Sequence, residues 1–263
     1  MSENLHVKVT GNGSSNLILL HGLFGAGNNL GQLARAFRDD FTVYSVDLPD
    51  HGKSPWSSAP SIEGYAKAVA RWLIEHELPQ AIVVGHSLGG KVAMQLALDF
   101  PFLVQKLVIL DIAPITYSSR HDSVFRALNA VSDARVTSRT DARAILAHYL
   151  EEPSVADFLL TNAELGADGV LKWRFNLSGL QSGYERILGE VKASGEDISP
   201  VSTPTLVLRG ELSDYVDETY QLLFAPLFSV FDVRTVIGAG HWLHQEKTAE
   251  VYREAQRFID RKV

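Results

Sequence analysis

Apolar residues gather in short, regularly spaced runs along the chain. The strands they predict are Leu5–Thr10, Asn16–His21, Phe41–Asp47, Ala81–Gly85, Leu107–Asp111, Thr205–Arg209 and Arg234–Ile237. LILL, AIVV, LVIL and TLVL are apolar without alternation, which suits strands covered on both faces of a parallel sheet. Helical spacing lies between them, at Leu30–Arg38, Ser61–Glu77 and Gly90–Phe100. The last of these stops before Pro101, as helices do. Strand and helix alternate, so the expected fold is α/β with a mostly parallel sheet and helices on both faces.

The rhythm breaks at Pro114. From there to Pro200 the pattern is helical, at Asp122–Val131, Ser138–Leu150, Val155–Thr161 and Ser182–Lys192, with one strand-like tract, LKWRFNL, at 171–177. Some 85 residues are too many for a loop, so this stretch is expected to be an inserted helical lid. The expected organisation is a core at 1–113 and 201–263 with the lid at 114–200.

Composition narrows the function classes. Hydrophobic residues make up 46% and charged residues 21%, the balance of an ordinary globular protein. The chain has no cysteine, which excludes disulfides, thiolate metal sites and a cysteine nucleophile. The formal net charge is -7 without a long basic run, so nucleic acid is not expected as a partner. The first residues lack the pattern of a secretory signal, and no apolar run approaches the ~18 residues of a membrane span. A cytoplasmic location is expected.

Three motifs carry chemistry. GHSLG, residues 85–89, falls between a buried strand and a helix. A serine on such a turn needs tiny neighbours two residues before and after it, and Gly85 and Gly89 stand there. Ser87 is the candidate nucleophile, with the helix start behind it able to stabilise an oxyanion. HGLFG, residues 21–25, ends another strand. It is expected to give one oxyanion-hole N–H from Leu23, or from Phe24, with Leu88 giving the other. GAGH, residues 238–241, follows the last strand. A serine hydroxyl needs a base late in the chain, which points to His241, with His244 as its rival. His86 and His51 are expected to be wall or structural residues.

In this order the motifs resemble the α/β-hydrolase family, and DLPDHGKSPW at 47–56 resembles that family's D-x-R-G-H-G-x-S loop with Pro49-Asp50 in place of Arg-Gly. More narrowly, LVILDIAPITY, RHDSVFRALNAV, WRFN and GAGHWLHQEKT are similar to a small bacterial branch of YbfF-like esterases. The resemblance implies a serine esterase acting on acyl esters or thioesters, with no metal and no organic cofactor.

The family places its acid as G-x-x-D after the strand that follows the insertion, but here that position is Ser213, with Asp214 one residue late. A hydroxyl cannot balance an imidazolium as a carboxylate does. Asp111, at a strand end and between Ser87 and His241 in chain order, is favoured as the acid; Asp214 is the alternative. Ser213 is then placed for a supporting hydrogen bond near the histidine. The candidate substrate contacts are Phe24, His86, Phe125, Trp173 and Trp242. Of Phe125, Leu128, Tyr149, Phe158, Leu159, Trp173 and Phe175 in the lid, more than half are expected to build its own core. Short- to medium-chain acyl esters are the expected substrates. The same triad supports C–C hydrolysis or acyl transfer, and the same fold can serve as a non-catalytic small-molecule receptor.

Overall fold

The computed structural model describes residues 4–78, 80–195, 199–217 and 219–261. Its strands are β1 (Val7–Thr10), β2 (Ser15–Leu20), β3 (Phe41–Val46), β4 (Ala81–His86), β5 (Val104–Leu110), β6 (Ala163–Leu165), β7 (Leu171–Trp173), β8 (Thr205–Gly210) and β9 (Phe231–Val236). Seven of them form one sheet in the order β1-β3-β2-β4-β5-β8-β9. The edge strand β1 runs antiparallel to β3, and every other neighbouring pair is parallel.

Period-two side-chain alternation sends each central strand into two cores. Ile18, Leu20, Val83, Leu107, Ile109 and Val207 belong to one. Leu17, Leu19, Ile82, Val84, Val108, Leu110, Leu206 and Leu208 belong to the other. The first is covered by α2 (Ile62–Glu75) and α3 (Leu88–Asp99), the second by α1 (Gly31–Phe37) and α11 (Thr248–Ile259). Uninterrupted apolar strands are therefore what this sheet requires, and their burial near zero exposure explains why they were legible.

Between β5 and β8 come α4 (Asp122–Ala134), α5 (Arg139–Leu146), α6 (Pro153–Thr161), the β6–β7 hairpin, α7 (Leu177–Ser182) and α8 (Tyr184–Leu188). The short α9 (Tyr220–Phe224) and α10 (Leu243–Glu246) flank β9. The helix expected at Ser182–Lys192 is shorter, because it lies between Gly183 and Gly189. The helix expected at Ser138–Leu150 begins on a serine cap, Ser138 accepting from the Asp141 N–H at 3.1 Å, and gives way to turns after Leu146. Only Leu171–Trp173 of the LKWRFNL tract is strand, and its partner is β6 rather than the main sheet.

Lys91 fastens this inserted segment to α3. Its ammonium is buried and donates to three carbonyls, Ile115 O at 2.7 Å, Leu188 O at 2.8 Å and Gly189 O at 2.6 Å. All three donors of a buried lysine are thereby satisfied. No helix among the described residues is long and apolar enough to cross a membrane.

Candidate active site

Ser87 sits between β4 and α3 at φ 52°, ψ -118°. A non-glycine residue there stores strain of about 1–3 kcal/mol that the surroundings must hold in place. The surroundings do so by close approach. A Cβ on Gly85 would lie 2.3 Å from Gly89 O, and one on Gly89 would lie 2.2 Å from Leu20 O. Neither backbone oxygen can give way without moving a strand or the helix. Gly89→Ala is therefore expected to destabilise the protein by about 2 kcal/mol or more, read as a melting temperature lower by ~5 °C or more in a thermal scan. An unchanged melting temperature would mean that the turn is not so tightly held.

The other two candidates arrive from neighbouring strand ends. Asp111 follows β5, one residue beyond its last paired position, at φ 52°. It is fully buried. Its Oδ1 accepts the Gly210 N–H at 2.8 Å, and its Oδ2 accepts His241 Nδ1 at 2.7 Å. The Ser213 hydroxyl donates to that same Oδ2. A carboxylate only accepts, so His241 carries its proton on Nδ1 and presents the Nε2 lone pair to the opposite side. The imidazole is further held by stacking on Tyr215, with centroids 3.8 Å apart and planes at 14°. His86 Nε2 lies 2.9 Å from the His241 carbonyl, tying the residue before the serine to the backbone of the histidine.

Asp214 is elsewhere engaged. Its side chain is 77% exposed and makes a two-pronged pair with Arg120, at 2.9 and 3.0 Å. The guanidinium holds that carboxyl below its ordinary range. His244, the rival base, is buried against the His86 ring at 4.2 Å, and burial pushes it down to about 3. Among the described residues its Nδ1 has no hydrogen-bond partner.

Two neutral histidines shape the HGLFG loop. His51 donates Nδ1–H to Pro49 O at 2.9 Å, and its Nε2 accepts the Phe24 N–H at 3.2 Å. Burial pushes His51 down to about 3, so this acceptor stays unprotonated. His21 repeats the arrangement, with Nδ1 on Gly22 O at 2.8 Å and Nε2 accepting Leu48 N–H at 3.0 Å. The Phe24 N–H is thus spent on His51, with Phe24 at φ 60°, leaving Leu23 as the loop's candidate oxyanion donor. The Pro49-Asp50 departure has a structural use. Asp50 adopts φ 65°, where glycine is usual, and its carboxylate accepts from Ser57 Oγ at 2.6 Å, Tyr65 Oη at 2.9 Å and Asn176 Nδ2 at 2.8 Å. It thereby pins the inserted segment to the loop carrying His51.

Ser87, His241, Leu23, Phe24, His86 and Trp242 all line one cavity of about 790 Å³. From the inserted segment come Tyr149, Leu150, Val155, Phe158 and Leu159. Phe125 and Trp173 are not among its walls, which corrects their expected role as substrate contacts. Phe125 is buried in an aromatic stack between Phe24, at 5.3 Å, and Tyr184, at 4.9 Å. Trp173 stacks on Phe175 at 5.6 Å and donates Nε1–H to Leu128 O at 3.1 Å. The Leu88 side chain is likewise buried in the core. The sequence reading missed Arg120, His121 and Tyr215 as cavity residues. Only the polar Arg-His pair at the mouth of an otherwise amphipathic helix hinted at the first two.

The chain is similar to known proteins along most of its length. The alpha/beta hydrolase family model matches residues 17–255. The chain is 35% identical to esterase YbfF of Escherichia coli over 263 residues, covering 99% of this chain and 100% of that one. It is 34% identical over 252 residues to the sn-1-specific diacylglycerol lipase ABHD11 of Mus musculus, covering 92% and 80%. Among solved structures, a marine microorganism esterase superposes with a TM-score of 0.93 at 32% identity, covering 98% of this chain and 100% of that one.

Proposed function

Because the chain belongs to the alpha/beta hydrolase family, we propose that it is a serine carboxylesterase in which Ser87, His241 and Asp111 form the triad. The observation that carries this reading is one cavity holding a serine on a strained turn and a histidine whose far nitrogen is fixed by a buried carboxylate.

The steps follow from the geometry. His241 Nε2 takes the Ser87 proton as Oγ attacks the ester carbonyl. The N–H groups of Leu23 and Leu88 hold the oxyanion, aided by the positive end of α3. The tetrahedral intermediate expels the alcohol, which leaves with the proton from His241. Water, deprotonated by the same nitrogen, then releases the carboxylic acid and restores Ser87. Asp111 keeps the imidazole in the required tautomer and balances its charge, with Ser213 steadying the shared oxygen. Segment 114–200 acts as the cover over the core formed by 1–113 and 201–263. Phe158 and Trp242, with ring centroids 5.6 Å apart, give the acyl chain an apolar contact.

A cavity of about 790 Å³ suits acyl chains of short to medium length. A panel of p-nitrophenyl esters from acetate to palmitate, with acyl-CoA thioesters alongside, tests this. The highest kcat/KM is expected between about C4 and C8, with none in Ser87→Ala. A maximum at C16, or turnover of thioesters alone, would contradict the substrate class.

A further inference from the structure

His121 precedes α4 in the inserted segment and forms part of the cavity wall with Ser87 and His241. We propose that its Nε2–H recognises a hydrogen-bond-accepting oxygen in the alcohol half of the substrate, so that esters of oxygen-bearing alcohols are favoured over their alkyl isosteres. The proposal rests on the esterase reading above.

The tautomer is fixed by Tyr184. Its hydroxyl lies in hydrogen-bond contact with His121 Nδ1. The phenolic oxygen accepts the Arg120 N–H at 3.4 Å, while the nearby Ser119 hydroxyl donates to Asp122. In the proposed arrangement, with a backbone N–H already on that oxygen, the hydroxyl proton turns to Nδ1, which accepts it. Burial raises Tyr184 above the ordinary tyrosine range and, with the charges of His241 and Arg120, pushes His121 down to about 4. The ring is therefore neutral near pH 7, with its proton on Nε2. Among the described residues that N–H has no hydrogen-bond partner. A neutral donor suits an ether or hydroxyl oxygen rather than a carboxylate.

The alcohol half is assigned by the neighbours. His241 delivers its proton to the departing alkoxide, so the alcohol lies on the His241 side. Arg120, adjacent in the chain, stands over the Tyr215 ring at 4.7 Å, and Tyr215 stacks on His241 at 3.8 Å. His121, next in the chain, lines the same cavity and is assigned to the leaving-group flank.

The test compares 2-methoxyethyl butyrate with butyl butyrate, which differ by one ether oxygen in place of a methylene. The ratio of their kcat/KM values is measured in the parent, His121→Phe, His121→Gln and Tyr184→Phe. One neutral hydrogen bond corresponds to about fivefold. His121→Phe is expected to shift the ratio about fivefold toward the butyl ester. Gln, which keeps a donor at the equivalent reach, restores the ratio. Tyr184→Phe, which frees the tautomer, moves it in the same direction as Phe at 121. An unchanged ratio in His121→Phe, or equal losses on both esters, overturns the inference. Absence of any Ser87-dependent hydrolysis of butyl butyrate would instead overturn the esterase reading, and this inference with it.

Discussion

Asp111→Asn is expected to lower kcat by about 10³- to 10⁴-fold, while Asp214→Asn stays within about threefold of the parent. The first change keeps the shape and size of the side chain. It replaces a group that only accepts by one that also donates, in contact with both His241 Nδ1 and the Ser213 hydroxyl. An amide nitrogen turned toward His241 selects the tautomer with its proton on Nε2, where the serine proton must go. An amide oxygen turned there holds the tautomer but no longer balances the imidazolium. Either way the base fails. Asp214 carries no such burden, because its carboxylate is exposed and spent on Arg120. Its loss removes a surface ion pair of about 0–1 kcal/mol. Steady-state kinetics on p-nitrophenyl butyrate, with circular dichroism to confirm folding, check both. Comparable losses in the two variants would mean that the acid is not Asp111.

Ser87→Ala is expected to reduce kcat on the same ester on the order of 10⁶-fold, to the residual rate that binding and the oxyanion donors alone support. The folded state should be undisturbed, or slightly relieved, because alanine loses only a hydroxyl at the strained φ 52° position. The effect exceeds that of Asp111→Asn because no other group at this turn can form the acyl-enzyme. The two substitutions together should cost scarcely more than Ser87→Ala alone, since residues that act as a unit do not add.

Much of the sheet was legible because its central strands are buried on both faces, so that Leu17–Leu20, Ile82–Val84 and Leu206–Leu208 have no polar face to confuse the pattern. β9 was read too short because Asp232 and Arg234, which pair with each other at 2.7 Å, interrupt the apolar positions Phe231 and Val233. The sequence reading assigned no element to the stretch that folds as α11, whose buried face is only Val251, Ala255 and Phe258 among many charges. That Ser87, Asp111 and His241 come near one another was legible because each follows a strand or its turn, and chain position fixes where strand ends meet. Phe125 and Trp173 were misplaced because aromatic residues at helical spacing look alike whether they face a cavity or a neighbouring ring. Arg120, His121, Tyr184 and Tyr215 meet through contacts spanning about 25 to 95 residues, which depend on how the inserted segment folds back. No local pattern encodes that.

The central claim is that Ser87 is a nucleophile activated by His241. The most direct measurement is intact-mass spectrometry after brief treatment with a fluorophosphonate, followed by peptide mapping. The account predicts one adduct per chain, on Ser87, absent in Ser87→Ala and slowed at least a hundredfold in His241→Ala. An unlabelled parent, an adduct on another residue, or undiminished labelling in His241→Ala would contradict it.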